Sequence, residues 1–130
     1  HWDKPVLQAH SVDSPFVAGG VEVIPVPVMH GKYEILAYRI GNMAYLTDVS
    51  DISPASMEKL RGLDYLLLDC LRYRPHHTHF SMEEAVAWAE KIGARETRLI
   101  HMTHELEYSE LSAKLPASMQ PAYDGLRLRC

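Results

Sequence analysis

The stretch Tyr65-Leu66-Leu67-Leu68 constrains the fold more than any other part of the chain. It is the centre of a run from Leu63 to Leu68 that follows Gly62 and ends at Asp69. A short apolar run of this kind reads as a strand buried on both faces, as in parallel sheets covered by helices. The flanking segments supply such helices. Ser53-Pro54 reads as an N-cap followed by proline at the first helical position, with a helix over Ala55–Leu60 stopped by Gly62. Downstream, Ser81 and Glu84 form a capping box for a helix that runs to Ile92 and ends at Gly93. Ala85, Trp88, Ala89 and Ile92 share one face at helical spacing, which is core packing.

Other elements extend this unit in both directions. Val6–Val12 and Gly20–Met29 are β-rich, with Gly19-Gly20 as the turn between them. Pro25 and Pro27 cannot donate ladder hydrogen bonds, which places their strand at an edge or a bulge. Glu34–Ile40 and Met43–Val49 are two further strands joined at Gly41-Asn42. Beyond the second helix, Thr97–His101 is a strand and Tyr108–Leu115 a short helix before Pro116. Pro121–Cys130 is expected to close as a hairpin around Asp124-Gly125. The fold class is α/β, with helices covering a mixed sheet.

The 130 residues, 47% hydrophobic, suit one compact domain or part of a larger one. A net charge of -4 argues against a basic nucleic-acid binder, though it leaves such a partner open. No apolar run is long enough for a membrane span. Two cysteines, Cys70 and Cys130, point to a reducing compartment, hence a cytoplasmic location. His1-Trp2-Asp3-Lys4 contains neither an initiator methionine nor an element start, so the chain is expected to begin inside a longer protein.

The chemistry is expected at four groups, at or just beyond strand ends: His30, Asp48, His79 and His101. Loops beyond strand ends are the usual ligand sites of open α/β sheets, and imidazole with carboxylate is an ordinary ligand set for zinc and related metals. Each group also has a plain explanation. His30 lies in a Met-His-Gly turn, Asp48 can cap a turn, His79 sits at a helix entry, and His101 can be a hydrogen-bonded histidine at a core edge.

Met43-Ala44-Tyr45-Leu46-Thr47-Asp48 resembles a strand of the metallo-β-lactamase superfamily. Leu66-Leu67-Leu68-Asp69-Cys70 and Leu99-Ile100-His101-Met102-Thr103-His104 are similar to further stretches of it. The likeness is to the phosphodiesterase branch, which includes phosphoribosyl cyclic phosphodiesterases of phosphonate breakdown and tRNA 3′-processing endonucleases. The intervals from His30 to Asp48, Asp48 to His79 and His79 to His101 are 18, 31 and 22 residues, in that branch's order. The resemblance implies that His30 binds one metal, His101 the other, and Asp48 both. His79 would be the non-ligand histidine of acid/base catalysis. His104 competes with His101, and His76 and His77 match no position of the pattern.

The resemblance covers Phe16–Cys130 and only the C-terminal half of an αββα sandwich. The four-ligand His-x-His-x-Asp-His motif of the N-terminal half is absent from the chain. It implies a metal-dependent hydrolase, a phosphodiesterase using a metal-bound hydroxide, with two divalent ions (zinc or manganese) and a small phosphodiester substrate. This chain alone is expected to be inactive and to need the missing half, another chain or a second copy of itself. Val26, Val28, Leu66 and Leu68 are expected to face that missing partner. The alternatives are hydrolysis of another ester, a thioester or a lactam on the same fold, or a catalytically silent α/β binding module.

Overall fold

The computed structural model describes residues 6–129. Seven strands form one sheet in chain order: β1 (Phe16–Ala18), β2 (Val21–His30), β3 (Tyr33–Ile40), β4 (Met43–Leu46), β5 (Tyr65–Asp69), β6 (Glu96–Ile100) and β7 (Met119–Pro121). The first four pair antiparallel through tight turns, and β4 to β7 pair parallel. Parallel neighbours need crossovers. These are α1 (Pro54–Lys59), α2 (Met82–Ile92) and α3 (Tyr108–Lys114). The expected mixed α/β sheet is therefore present.

Local signals set the helix ends. The Ser53 side chain accepts from the Ser56 amide, and Pro54 opens α1. At α2 both arms of the Ser81–Glu84 capping box are made, and Gly93 closes the helix with a left-handed φ of 69°. Ala85 and Ala89 are buried, and Trp88 stacks on buried Phe80 with ring centroids 5.8 Å apart.

One face of the sheet carries the core. The parallel register aligns Leu46, Leu68, Leu99 and Pro121 in one row, and Ala44, Leu66, Thr97 and Met119 in another. These side chains are buried against the helices together with Val26 and Val28. Each fully buried leucine contributes about 1.5–3 kcal/mol. Val26, Val28, Leu66 and Leu68 therefore do not face an open side. The opposite face carries the alternate residues, among them Tyr38, Tyr45, Leu67 and Arg98 in one cross-strand row. All four keep solvent contact, and Tyr45 is 44% exposed. Strand β5 is accordingly buried on one face, because among the described residues nothing covers its other side.

Three further sequence expectations differ from the structure. Residues 6–12 form no strand, since they lie exposed ahead of β1. Strand β4 stops at Leu46, before a left-handed residue at Asp48. No hairpin forms around Asp124-Gly125, because Met119–Pro121 pairs parallel with β6 instead. His1–Pro5 and Cys130 lie outside the described residues. Among the described residues, no helix is long and apolar enough to cross a membrane.

Candidate metal centre

Strands β2, β4, β5 and β6 run in one direction, so the groups at their carboxyl ends meet along one edge of the sheet. Those groups are His30, Asp48, Asp69 and His101. Two bridges tighten the edge. Met29 exchanges backbone hydrogen bonds with Ser50 and Asp51 at 2.7 and 2.9 Å, which holds the Asp48 turn against the end of β2. The Leu71 amide donates to Phe80 and the Met82 amide to Arg72, at 2.9 and 3.0 Å. These bonds close the loop after β5 and return His79 to the end of that strand.

The side chains converge. His101 Nε2 lies 3.2 Å from Asp48 Oδ1, and His79 Nε2 lies 4.0 Å from the same oxygen. His30, Asp48 and His79 each offer a ligand atom within 4.8 Å of the others, and so do Asp69, His79 and His101. The His79 ring sits between the other two, with centroids 4.8 Å from His30 and 5.0 Å from His101. His79, expected as a non-ligand, is thus within ligand range of both groups. His104 is exposed and belongs to neither group. His76 and His77 stack on each other at 4.7 Å in the loop, outside both groups.

Hydrogen bonds fix which ring nitrogens are free. The Thr78 carbonyl lies 2.9 Å from His30 Nδ1 and accepts its proton, leaving the Nε2 lone pair available. His79 Nδ1 is 2.8 Å from Asp69 Oδ2, which leaves Nε2 facing Asp48. Ligating histidines ordinarily hold their second nitrogen on a carbonyl or carboxylate in this way, so the donor set fits divalent metal.

Asp69 has no role in the sequence-based reading, yet it organises the centre. It is fully buried, and its Oδ2 also accepts the Val49 amide at 2.9 Å. Its Oδ1 has no hydrogen-bond partner. Burial pushes its carboxyl above the ordinary range, while bonds from His79 and Val49 and the charges of His79 and His101 pull it back. The sequence signal for Asp69 is a carboxylate closing an apolar strand, where burial without a partner is costly.

Asp48 and His101 both hold left-handed backbone, with φ of 56° and 62°. Left-handed non-glycine residues cluster at functional sites, where surrounding structure enforces them.

Comparisons with known proteins agree with this fold. The family model of the β-lactamase superfamily domain matches residues 2–102. The crystal structure of a diphosphatase from the PhnP family superposes with a TM-score of 0.90 at 48% identity, over 93% of this chain and 48% of that one. A metallo-β-lactamase fold protein from Bacillus subtilis shares the fold at TM-score 0.72 and 22% identity, over 92% of this chain and 54% of that one. A protein of Porphyromonas gingivalis (strain ATCC BAA-308 / W83) named octanoyltransferase is 39% identical over 126 residues. The match spans 94% of this chain and 26% of that protein. The chain thus covers about half of the diphosphatase and about a quarter of the curated relative.

Proposed function

The chain belongs to the β-lactamase superfamily, and on that basis we propose that it supplies one half of the dinuclear centre of a phosphodiester hydrolase. The observation that carries the proposal is the convergence of His30, Asp48 and His101 at one sheet edge, with Asp48 Oδ1 3.2 Å from His101 Nε2. The similarity to the PhnP-family diphosphatase supports a phosphorus ester as substrate.

His30 would hold one ion and His101 the other, with Asp48 serving both. A pair of zinc or manganese ions bound there would supply an acidified water and positive charge against the phosphoryl oxygens. The chain's own residues do the rest. Asp69 keeps the His79 ring oriented through Nδ1. Protonated His79 delivers the Nε2 proton to the leaving oxygen and keeps Nδ1–H on Asp69. The Thr78 carbonyl fixes the His30 ring.

The remaining ligands and the cover for the open sheet face would come from a second half of the fold. Phe16, Val23, Tyr38, Ile40, Met43 and Tyr45 line a shallow cleft of about 390 Å³ on that face, without a charged side chain. An apolar surface of this kind favours a packed partner. The chain alone would then bind metal weakly and turn over little substrate. A cytoplasmic location fits the free, buried Cys70.

Acyl transfer fits the cluster less well. Its side chains are imidazoles and carboxylates, and the adjoining thiol, Cys70, is fully buried with its pKa pushed up to about 12. The name of the Porphyromonas gingivalis protein belongs to a chain of which this sequence matches 26%. The deciding experiment is metal-dependent hydrolysis of bis-p-nitrophenyl phosphate by the protein in which this chain is joined to the second half. Turnover that requires added zinc or manganese and falls at least about a hundredfold in Asp48→Ala supports the proposal. Metal-independent turnover, or none, refutes it.

A further inference from the structure

A second cavity opens beside the centre, between the β2–β3 turn and the histidine-rich loop. Its volume is about 520 Å³, and it is lined by His30, Gly31, Lys32, Tyr33, His77 and Thr78. Both walls are pinned. The Gly31 amide donates to Ser50 Oγ at 2.9 Å, and the Ser50 hydroxyl donates to the Met29 carbonyl at 3.1 Å. The other wall is tied to the first by the bond between His30 Nδ1 and the Thr78 carbonyl. The walls meet closely at Gly31, where a Cβ would stand 2.9 Å from Thr78 Cγ2.

The lining has a definite chemistry. Lys32, His30 and His77 line the cavity and no acidic residue does. Tyr33 is 62% exposed, with Lys32 Nζ 5.2 Å from its ring centroid. An exposed aromatic ring beside a cation offers a stacking platform and a charge for an anion. His30 belongs to both the cavity and the centre, so a group resting on Tyr33 adjoins whatever is held there.

We propose that this cavity is the leaving-group subsite of the hydrolase, and that it takes a planar aromatic group carried on a phosphate ester. The inference rests on the proposed function and adds its substrate class. Tyr33 would stack on the aromatic plane, while Lys32 and His77 would meet the remaining negative charge. The aromatic group can be joined directly, as in an aryl phosphate, or through a sugar, as in a nucleotide.

The test is equilibrium binding to the full chain, read by calorimetry. Phenyl phosphate is compared with methyl phosphate, and adenosine monophosphate with ribose 5-phosphate. At least one aromatic ligand should bind about tenfold tighter than its non-aromatic counterpart, and the pair with the larger ratio identifies the linkage. Tyr33→Ala should remove that preference without weakening the non-aromatic ligand, and Tyr33→Phe should keep it. Lys32→Ala should weaken aromatic and non-aromatic ligands alike. Tyr33 is exposed, so these variants leave the fold intact, which circular dichroism checks. Equal binding within both pairs, no binding at all, or a preference that survives Tyr33→Ala would overturn the subsite. A parallel titration with manganese alone reports on the centre, so loss of the subsite and loss of the proposed metal function are told apart.

Discussion

Asp48 and His101 face one another across the ends of β4 and β6, with Oδ1 3.2 Å from Nε2 and both backbones left-handed. That conformation costs an L-residue up to roughly 1–2 kcal/mol, and Asp and His tolerate it better than most. A partly exposed carboxylate–imidazole contact returns little of this, at most about 1 kcal/mol. The pair therefore fits a place kept for ligation better than one kept for stability.

A stability measurement follows from that strain. His101→Gly should leave the metal-free protein as stable as the wild type, or more stable by up to about 1 kcal/mol in urea unfolding. The same variant should bind manganese more weakly. A clear loss of metal-free stability would show that the His101 side chain supports the fold.

Gly31 should respond in the opposite way. Its φ is +62°, and a Cβ would press on Thr78. Gly31→Ala should lower stability by about 1–2 kcal/mol, read as a fall in melting temperature. It should also shift the His30 ring resonances, because Thr78 holds that ring. An unchanged melting temperature would mean that the turn has freedom the structure does not show.

Asp69→Asn separates orientation from ligation. The amide cannot hold His79 Nδ1–H as a carboxylate does, so kcat of the complete hydrolase should fall by about 10²–10⁴-fold. Affinity for metal should change by less than about a hundredfold. Equal loss of both would make Asp69 a ligand instead of a positioning residue.

Cys70 provides an independent check on the packing behind the centre. Burial, reinforced by the neighbouring Asp69 carboxylate, pushes its thiol from 9.0 up to about 12. The folded state therefore holds this proton more tightly. The resulting stability is full below about pH 9 and is lost as pH rises toward 12. Peptide mapping after iodoacetamide treatment at pH 8 should show Cys70 at least about a hundredfold slower in the folded chain than in urea. Equal rates would contradict its burial.

The parts of this fold legible in the sequence are those set by neighbours in the chain. Ser81 and Glu84 cap α2 through contacts three residues apart, and Ser53-Pro54 opens α1 in the same local way. The turn at Gly41-Asn42 and the edge character of the Pro25–Pro27 strand are local too. Beyond Val23, β3 is the only strand that β2 pairs with among the described residues, apart from the bridge of Met29 to Asp51. The errors lie where distant segments decide. Leu67 looks like its neighbours Leu66 and Leu68 in an apolar run, but register assigns it to the open face. Met119–Pro121 joins β6 across α3 instead of folding back on its own turn. The positions of His30, Asp48, His79 and His101 were readable from strand ends and family spacing. Asp69 was hidden because its function depends on the His79 ring and the Val49 amide, both brought to it by tertiary contacts.

The most direct test of the half-centre is a manganese or zinc binding isotherm on the full chain and on Asp48→Ala. The account predicts saturable binding by the wild-type chain and a loss of at least about tenfold in Asp48→Ala, with an unchanged circular dichroism spectrum. Absence of binding by the wild type, or equal affinity in the two proteins, would contradict it.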